Sequence, residues 1–137
     1  MEEPIWVTEK IVLAIHEDQL VQHGGRLGIR DENLLRASLA RPKHLFTYGD
    51  SSIFDLAAAY GYGLANNHPF VDGNKRTAFM VMYTLLGLNN YWLEVEEVEV
   101  VLRMEGFLKD TASHITMNTE TQESIAIWIQ SNTTFNS

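Results

Sequence analysis

The chain contains no cysteine, which excludes disulfides, thiolate catalysis and cysteine-based zinc sites. Positive charge is scarce. Ten Lys and Arg stand against eighteen Asp and Glu, for a net charge of −8. A nucleic-acid partner needs a basic face to neutralise phosphates, so none is expected. Long hydrophobic runs are missing too: no stretch approaches the roughly 20 apolar residues needed to span a bilayer. The opening Met1-Glu2-Glu3-Pro4 is acidic and does not have the pattern of a signal peptide. These absences imply no membrane partner and a cytoplasmic location. No repeat, low-complexity tract or linker divides the 137 residues, so one domain over 1–137 is expected, large enough to bury a core unaided.

What is present is helical periodicity. Thr8 is placed to cap a first helix with Ile11, Ala14 and Ile15 on its inner side, ended by Gly24 and Gly25. Asp31 is placed to cap a second helix carrying Leu34, Leu35 and Leu39, which Pro42 is expected to stop. The short run 45–48, part aromatic and bounded by Gly49, reads as extended. Asp50, Ser51 or Ser52 then caps a third helix over 54 to about 66, where Ala57, Ala58, Ala59, Gly61 and Gly63 would let a neighbouring backbone come close. A fourth helix from about Asn74 to Leu88 is apolar nearly all round, the mark of a buried central helix. A short extended piece is expected over 91–95. A fifth helix is marked by Val98, Val101, Leu102 and Leu108. The last helix bears Ile125, Trp128 and Ile129 and is led by a capping box of Thr119 and Gln122. The expected class is all-α, with a central buried helix hairpin.

The loop inside that hairpin carries the chemistry: His68-Pro69-Phe70-Val71-Asp72-Gly73-Asn74-Lys75-Arg76. A neutral His68 can take a proton from an attacking hydroxyl, and Pro69 restricts the backbone beside it. Phe70 anchors the loop in the core. Asp72 is a hard oxygen ligand suited to Mg²⁺. Gly73 permits a tight turn and the approach of backbone N–H groups to an anion. Asn74, Lys75 and Arg76 open the buried helix, whose free N–H groups and positive dipole end attract phosphate; Lys75 adds a compact charge and Arg76 a bidentate fork. Phosphate transfer needs mainly positioning and charge neutralisation, and these residues supply both. Taken singly each has an ordinary reading as turn, surface pair or anchor. Seven specified residues in nine positions coincide on the order of once in a billion windows, so they are read together.

This loop resembles the signature loop of the Fic/Doc family. The likeness extends to His16-Glu17 through Gly24-Gly25, Gly28, Asp31-Glu32 and Arg41-Pro42, which are similar to the N-terminal half of the death-on-curing branch. The resemblance implies an all-α Fic core, Mg-ATP as substrate and modification of a protein hydroxyl. His68 and Arg76 would be catalytic, Gly73, Asn74, Lys75 and Arg76 would bind the nucleotide, and Asp72 would hold the metal. Most members have glycine at the position of Lys75 and a second arginine three residues beyond the first, and they transfer AMP. Phe79 stands at that second position here. One toxin of the death-on-curing branch carries the lysine, lacks the second arginine and phosphorylates elongation factor Tu with ATP held reversed, although it has alanine at the position of Gly73. The resemblance therefore favours a toxin kinase, with AMP transfer as the alternative and a catalytically inactive binding module as a further one. It also implies that residues 45–48 belong to a flap, a short β-hairpin that docks an extended target segment. Self-restraining members carry Ser or Thr, three residues, Glu and then Gly or Asn. Here Ser124 follows Glu123, so restraint would come from a separate antitoxin.

Other clusters read as structure. His16, Glu17, Asp18 and His23 form a solvated helix face rather than a metal site, the acidic run from Glu94 to Glu99 a solvated helix start, and Trp6, Trp92 and Trp128 core.

Overall fold

The computed structural model describes residues 1–96 and 118–136, with backbone alone for 118–121. Helix boundaries follow local chemistry. Thr8 caps α1 (Glu9–His23), its hydroxyl accepting from the Ile11 N–H at 3.3 Å, and Asp31 caps α2 (Glu32–Tyr48), accepting from the Leu34 N–H at 3.0 Å. Ser52 and Asp55 close a reciprocal capping box on α3 (Ile53–Asn67), with bonds of 2.8 and 3.2 Å. Gly73 precedes α4 (Asn74–Leu88), and no side chain caps this helix. Strand β1 (Tyr91–Leu93) pairs antiparallel with β2 (Thr133–Phe135), which follows α5 (Asn118–Ser131), with Trp92 opposite Thr134. Among the described residues the molecule is mainly helical with this one small sheet.

Helix α3 is the centre. Every residue from Leu56 to Ala65 is buried, and α2, α4 and α5 all pack on it. Small residues make the close approach possible, as their run in the sequence suggests: a Cβ on Gly61 would lie 2.8 Å from Met82 Cγ on α4, and one on Gly63 would lie 3.4 Å from Ser38 Cα on α2. Ala78, Val81, Met82, Leu85 and Leu86 bury the inner side of α4, while α1 packs on this helix as well. Tyr60 donates to Val7 O at 3.1 Å, and burial pushes its phenol up to about 12, so it stays a neutral donor. The all-α expectation holds, with α3 and α4 as the buried hairpin and residues 68–73 as its connection.

Four expectations are corrected. Helix α2 does not stop at Pro42 but runs on to Tyr48. Pro42 is itself buried, Leu45 and Phe46 pack against the core, and Trp6 meets Phe46 edge-on at 5.8 Å, so tertiary contacts outweigh the lost backbone bond. The run 45–48 is therefore helical, not an extended flap; the antiparallel pair lies at β1 and β2 instead. His16 is not on a solvated face: it is 3% exposed. Trp92 is half exposed on β1, whereas Trp128 is buried. At the start of α5, Gln122 accepts from Arg41 Nε at 2.8 Å, so its amide serves a contact with α2. The helix marked by Val98, Val101, Leu102 and Leu108 lies outside the described residues.

Candidate active site

The end of α3 sets the geometry. His68 follows its last turn in a left-handed conformation, φ 47° and ψ 56°, a strain on the order of 1–3 kcal/mol for a residue with a side chain. A helix end also leaves carbonyls without helical donors. The segment between α1 and α2 satisfies them. Arg30 Nε donates to His68 O at 2.6 Å and Arg30 Nη2 to Asn67 O at 2.7 Å. The backbone N–H groups of Arg30 and Asp31 both donate to Pro69 O, at 2.7 and 3.0 Å. Ile29 bridges Phe70, and Val71 N donates to Gly28 O at 3.0 Å. The loop is thus laced to a segment some forty residues earlier.

Its interior is fixed by His16, Phe70 and Asn74. The His16 ring stacks on the Phe70 ring at 3.7 Å and 10°, and it bonds Asp72 O through Nε2 at 2.8 Å. A carbonyl only accepts, so Nε2 carries the proton. Asn74 accepts from Phe70 N through Oδ1 and donates to Phe70 O through Nδ2, both at 2.9 Å. Its side chain therefore ties the loop, and its backbone N–H is what remains for a ligand. Gly73 holds φ +78°, and a Cβ there would sit 3.2 Å from Leu20 Cδ2. Asp72 accepts from the Arg26 N–H through Oδ2 at 2.8 Å, leaving Oδ1 without a partner among the described residues.

Thr77 N is the first donor of α4 to find a helical acceptor, Gly73 O at 3.0 Å, so the N–H groups of Asn74, Lys75 and Arg76 point out of the helix end unpaired. Lys75 and Arg76 are exposed, and neither is in an ion pair among the described residues. Partial burial, then the positive charges of Arg30 and Lys75, hold the His68 imidazole below its ordinary 6.5. The ring is therefore neutral at pH 7 and able to accept a proton. Phe79, one turn on, packs with Tyr83 at 6.4 Å and brings no charge to the site. No group of three or more His, Asp and Glu able to hold a metal occurs among the described residues. Asp72 would hold a cation only together with a ligand's own oxygens.

The loop thus gathers His68, Asp72, Gly73, Asn74, Lys75 and Arg76 around one turn and one helix end. Two neighbours escaped sequence reasoning. Arg30 carries no motif and lies far off in the chain. His16 stands in the family likeness but reads from the sequence as part of a solvated face of α1; its helical spacing from Val12 and Gln19, which are buried with it, is the signal for its place in the core.

His68 follows the last turn of one buried helix, and the loop after it leads into the uncapped N-terminus of the next, on a mainly helical scaffold. The Fic/DOC family profile matches residues 6–86, which take in α1 to α3, the loop and most of α4, and the chain belongs to that family. It is 42% identical over 79 residues to "Toxin Doc" of Mycolicibacterium smegmatis, covering 56% of this chain and 60% of that protein. It is also 29% identical over 73 residues to "Protein kinase doc" of Escherichia phage P1, covering 53% and 58%. The chain thus spans less than two thirds of the length of these curated relatives. No helix among the described residues is long and apolar enough to cross a membrane.

Proposed function

We propose that the chain transfers the terminal phosphate of ATP to a hydroxyl of a protein target. The observation that carries this reading is a neutral, exposed imidazole at His68 beside a helix end with three unpaired N–H groups and the Lys75 ammonium. His68 takes the proton of the target hydroxyl as its oxygen attacks the terminal phosphorus; the bond from that phosphorus to the bridging oxygen breaks, and ADP leaves. The N–H groups of Asn74, Lys75 and Arg76 receive the phosphate oxygens at the positive end of α4, and the Arg76 guanidinium neutralises charge that builds on them. Asp72 Oδ1 would hold Mg²⁺, which screens phosphate charge when bound.

Lys75 and Phe79 favour phosphate over AMP transfer. The first puts a fixed charge where a bare backbone nest would seat inner phosphates, and the second supplies no further cation. Gly73 does not count against this, because its positive φ and the nearness of Leu20 account for glycine locally. The relatives named as a toxin and as a protein kinase support a toxin role, with elongation factor Tu as the first target to try and an antitoxin acting in trans as the restraint. Incubation with ATP labelled at the α- or the γ-phosphate, in a bacterial lysate, tests the proposal. Label passing to protein from the γ position is expected. Transfer from the α position alone means AMP transfer, and none from either means a binding module.

A further inference from the structure

Three consecutive carbonyls at the end of α3, those of Asn67, His68 and Pro69, are taken up by two consecutive residues, Arg30 and Asp31. The side chain of Arg30 does the more demanding part. Its planar fork reaches two neighbouring carbonyls at once, 2.6 Å from one and 2.7 Å from the other, in a geometry that a lysine ammonium does not reproduce. A cation at a helix C-terminus is also favoured by the dipole. The residue held is the one whose backbone is strained: His68 keeps φ 47° without being glycine. Arg30 is exposed, so its bonds support no core and serve only this corner of the loop.

We propose that Arg30 is a positioning residue for His68: its guanidinium locks the left-handed turn after α3 and so fixes where the imidazole is held, within the influence of Lys75 on the first turn of α4. This inference rests on the reading of His68 as the base. The charges facing His68 are Arg30, from the segment between α1 and α2, and Lys75, from the first turn of α4. Two substitutions separate the fork from its charge. Arg30→Lys keeps the charge and loses the bidentate grip; Arg30→Gln loses both.

The experiment measures kcat and KM for ATP, the pH profile of kcat, and the NMR titration of the His68 imidazole, assigned by the signal missing from His68→Ala. Both variants are expected to lower kcat roughly tenfold to a hundredfold, because a base displaced by about 1 Å loses that much, while KM for ATP stays within about twofold. In Arg30→Gln the His68 titration and the acid limb of the profile move up together; in Arg30→Lys the limb stays where it was while kcat still falls. Full rescue of kcat by Arg30→Lys overturns the proposal, since charge alone would then suffice. So does a rise in KM for ATP with kcat unchanged, which would make Arg30 a nucleotide contact. If the wild-type protein transfers no phosphate, the reading of His68 as base fails at that step. The NMR spectrum still reports the clamp by itself in Arg30→Lys, where the charge is kept: a displaced His68 ring signal there shows that the fork holds the turn, and a signal unmoved in Arg30→Lys shows that it does not.

Discussion

In the proposed transfer His68 has to be neutral, exposed and held still, and different neighbours answer each need. Partial burial and two nearby cations lower its pKa, and the end of α3 leaves the ring outside the core. His68→Ala is therefore expected to cut transfer by about a hundredfold or more with an unchanged circular dichroism spectrum; a fully active variant removes the base assignment. The direction of the shift predicts the pH profile. A base works only unprotonated, and the protonated ring is disfavoured here, so activity holds through pH 7 and falls only on acidification below 6.5. An acid limb above 6.5 would contradict this. His16 works at the same scale by anchoring Asp72. His16→Phe keeps a ring against Phe70 but leaves Asp72 O without its donor, for a loss of about 1 kcal/mol in thermal or denaturant unfolding. The residues proposed to carry the chemistry could be singled out in the sequence because they are contiguous and their types suit one reaction. Arg30 was not, since nothing local distinguishes an arginine that reaches a carbonyl 38 residues away.

Between helices, the small residues of α3 set the distances that bring the loop into place. Gly61 meets Met82, so Gly61→Val overpacks the α3–α4 contact, and unfolding should show a loss of about 2 kcal/mol or more; an unchanged midpoint would mean that this contact yields freely. The bounds of α4 were readable because its apolar run is long and Gly73 punctuates its start. The course of α2 was not. Pro42 is a stop signal in local chemistry, but Leu45 and Phe46 lie against the core, and Trp6 covers Phe46 from a segment ahead of α1. Contacts between distant segments decided that helix, and a single sequence does not display them. The flap expected over 45–48 failed for the same reason. Trp92 failed for a related one: an aromatic on a strand faces either the core or solvent, and the pairing of β1 with β2 turns this one out.

At the scale of the whole molecule, distant parts of the chain are tied into one body. Asn89, after α4, accepts from Ile5 N at 2.8 Å and donates to Ile5 O at 3.0 Å. Arg41 of α2 lies 5.0 Å from the Tyr62 ring of α3 and also bonds Gln122 of α5. We propose that the chain is a single cooperative domain; far-UV and near-UV signals should then lose structure in one coincident thermal transition, and two separated transitions would contradict this. Against a net charge of −8, the cations at Arg30, Lys75 and Arg76 lie around the loop, where an anionic ligand would be received. The most direct test is the structure of the His68→Ala variant crystallised with Mg-ATP. The terminal phosphate is expected at the N–H groups of Asn74 to Arg76, beside Lys75. Finding the α-phosphate in that place, or the nucleotide bound elsewhere, would contradict the proposed transfer.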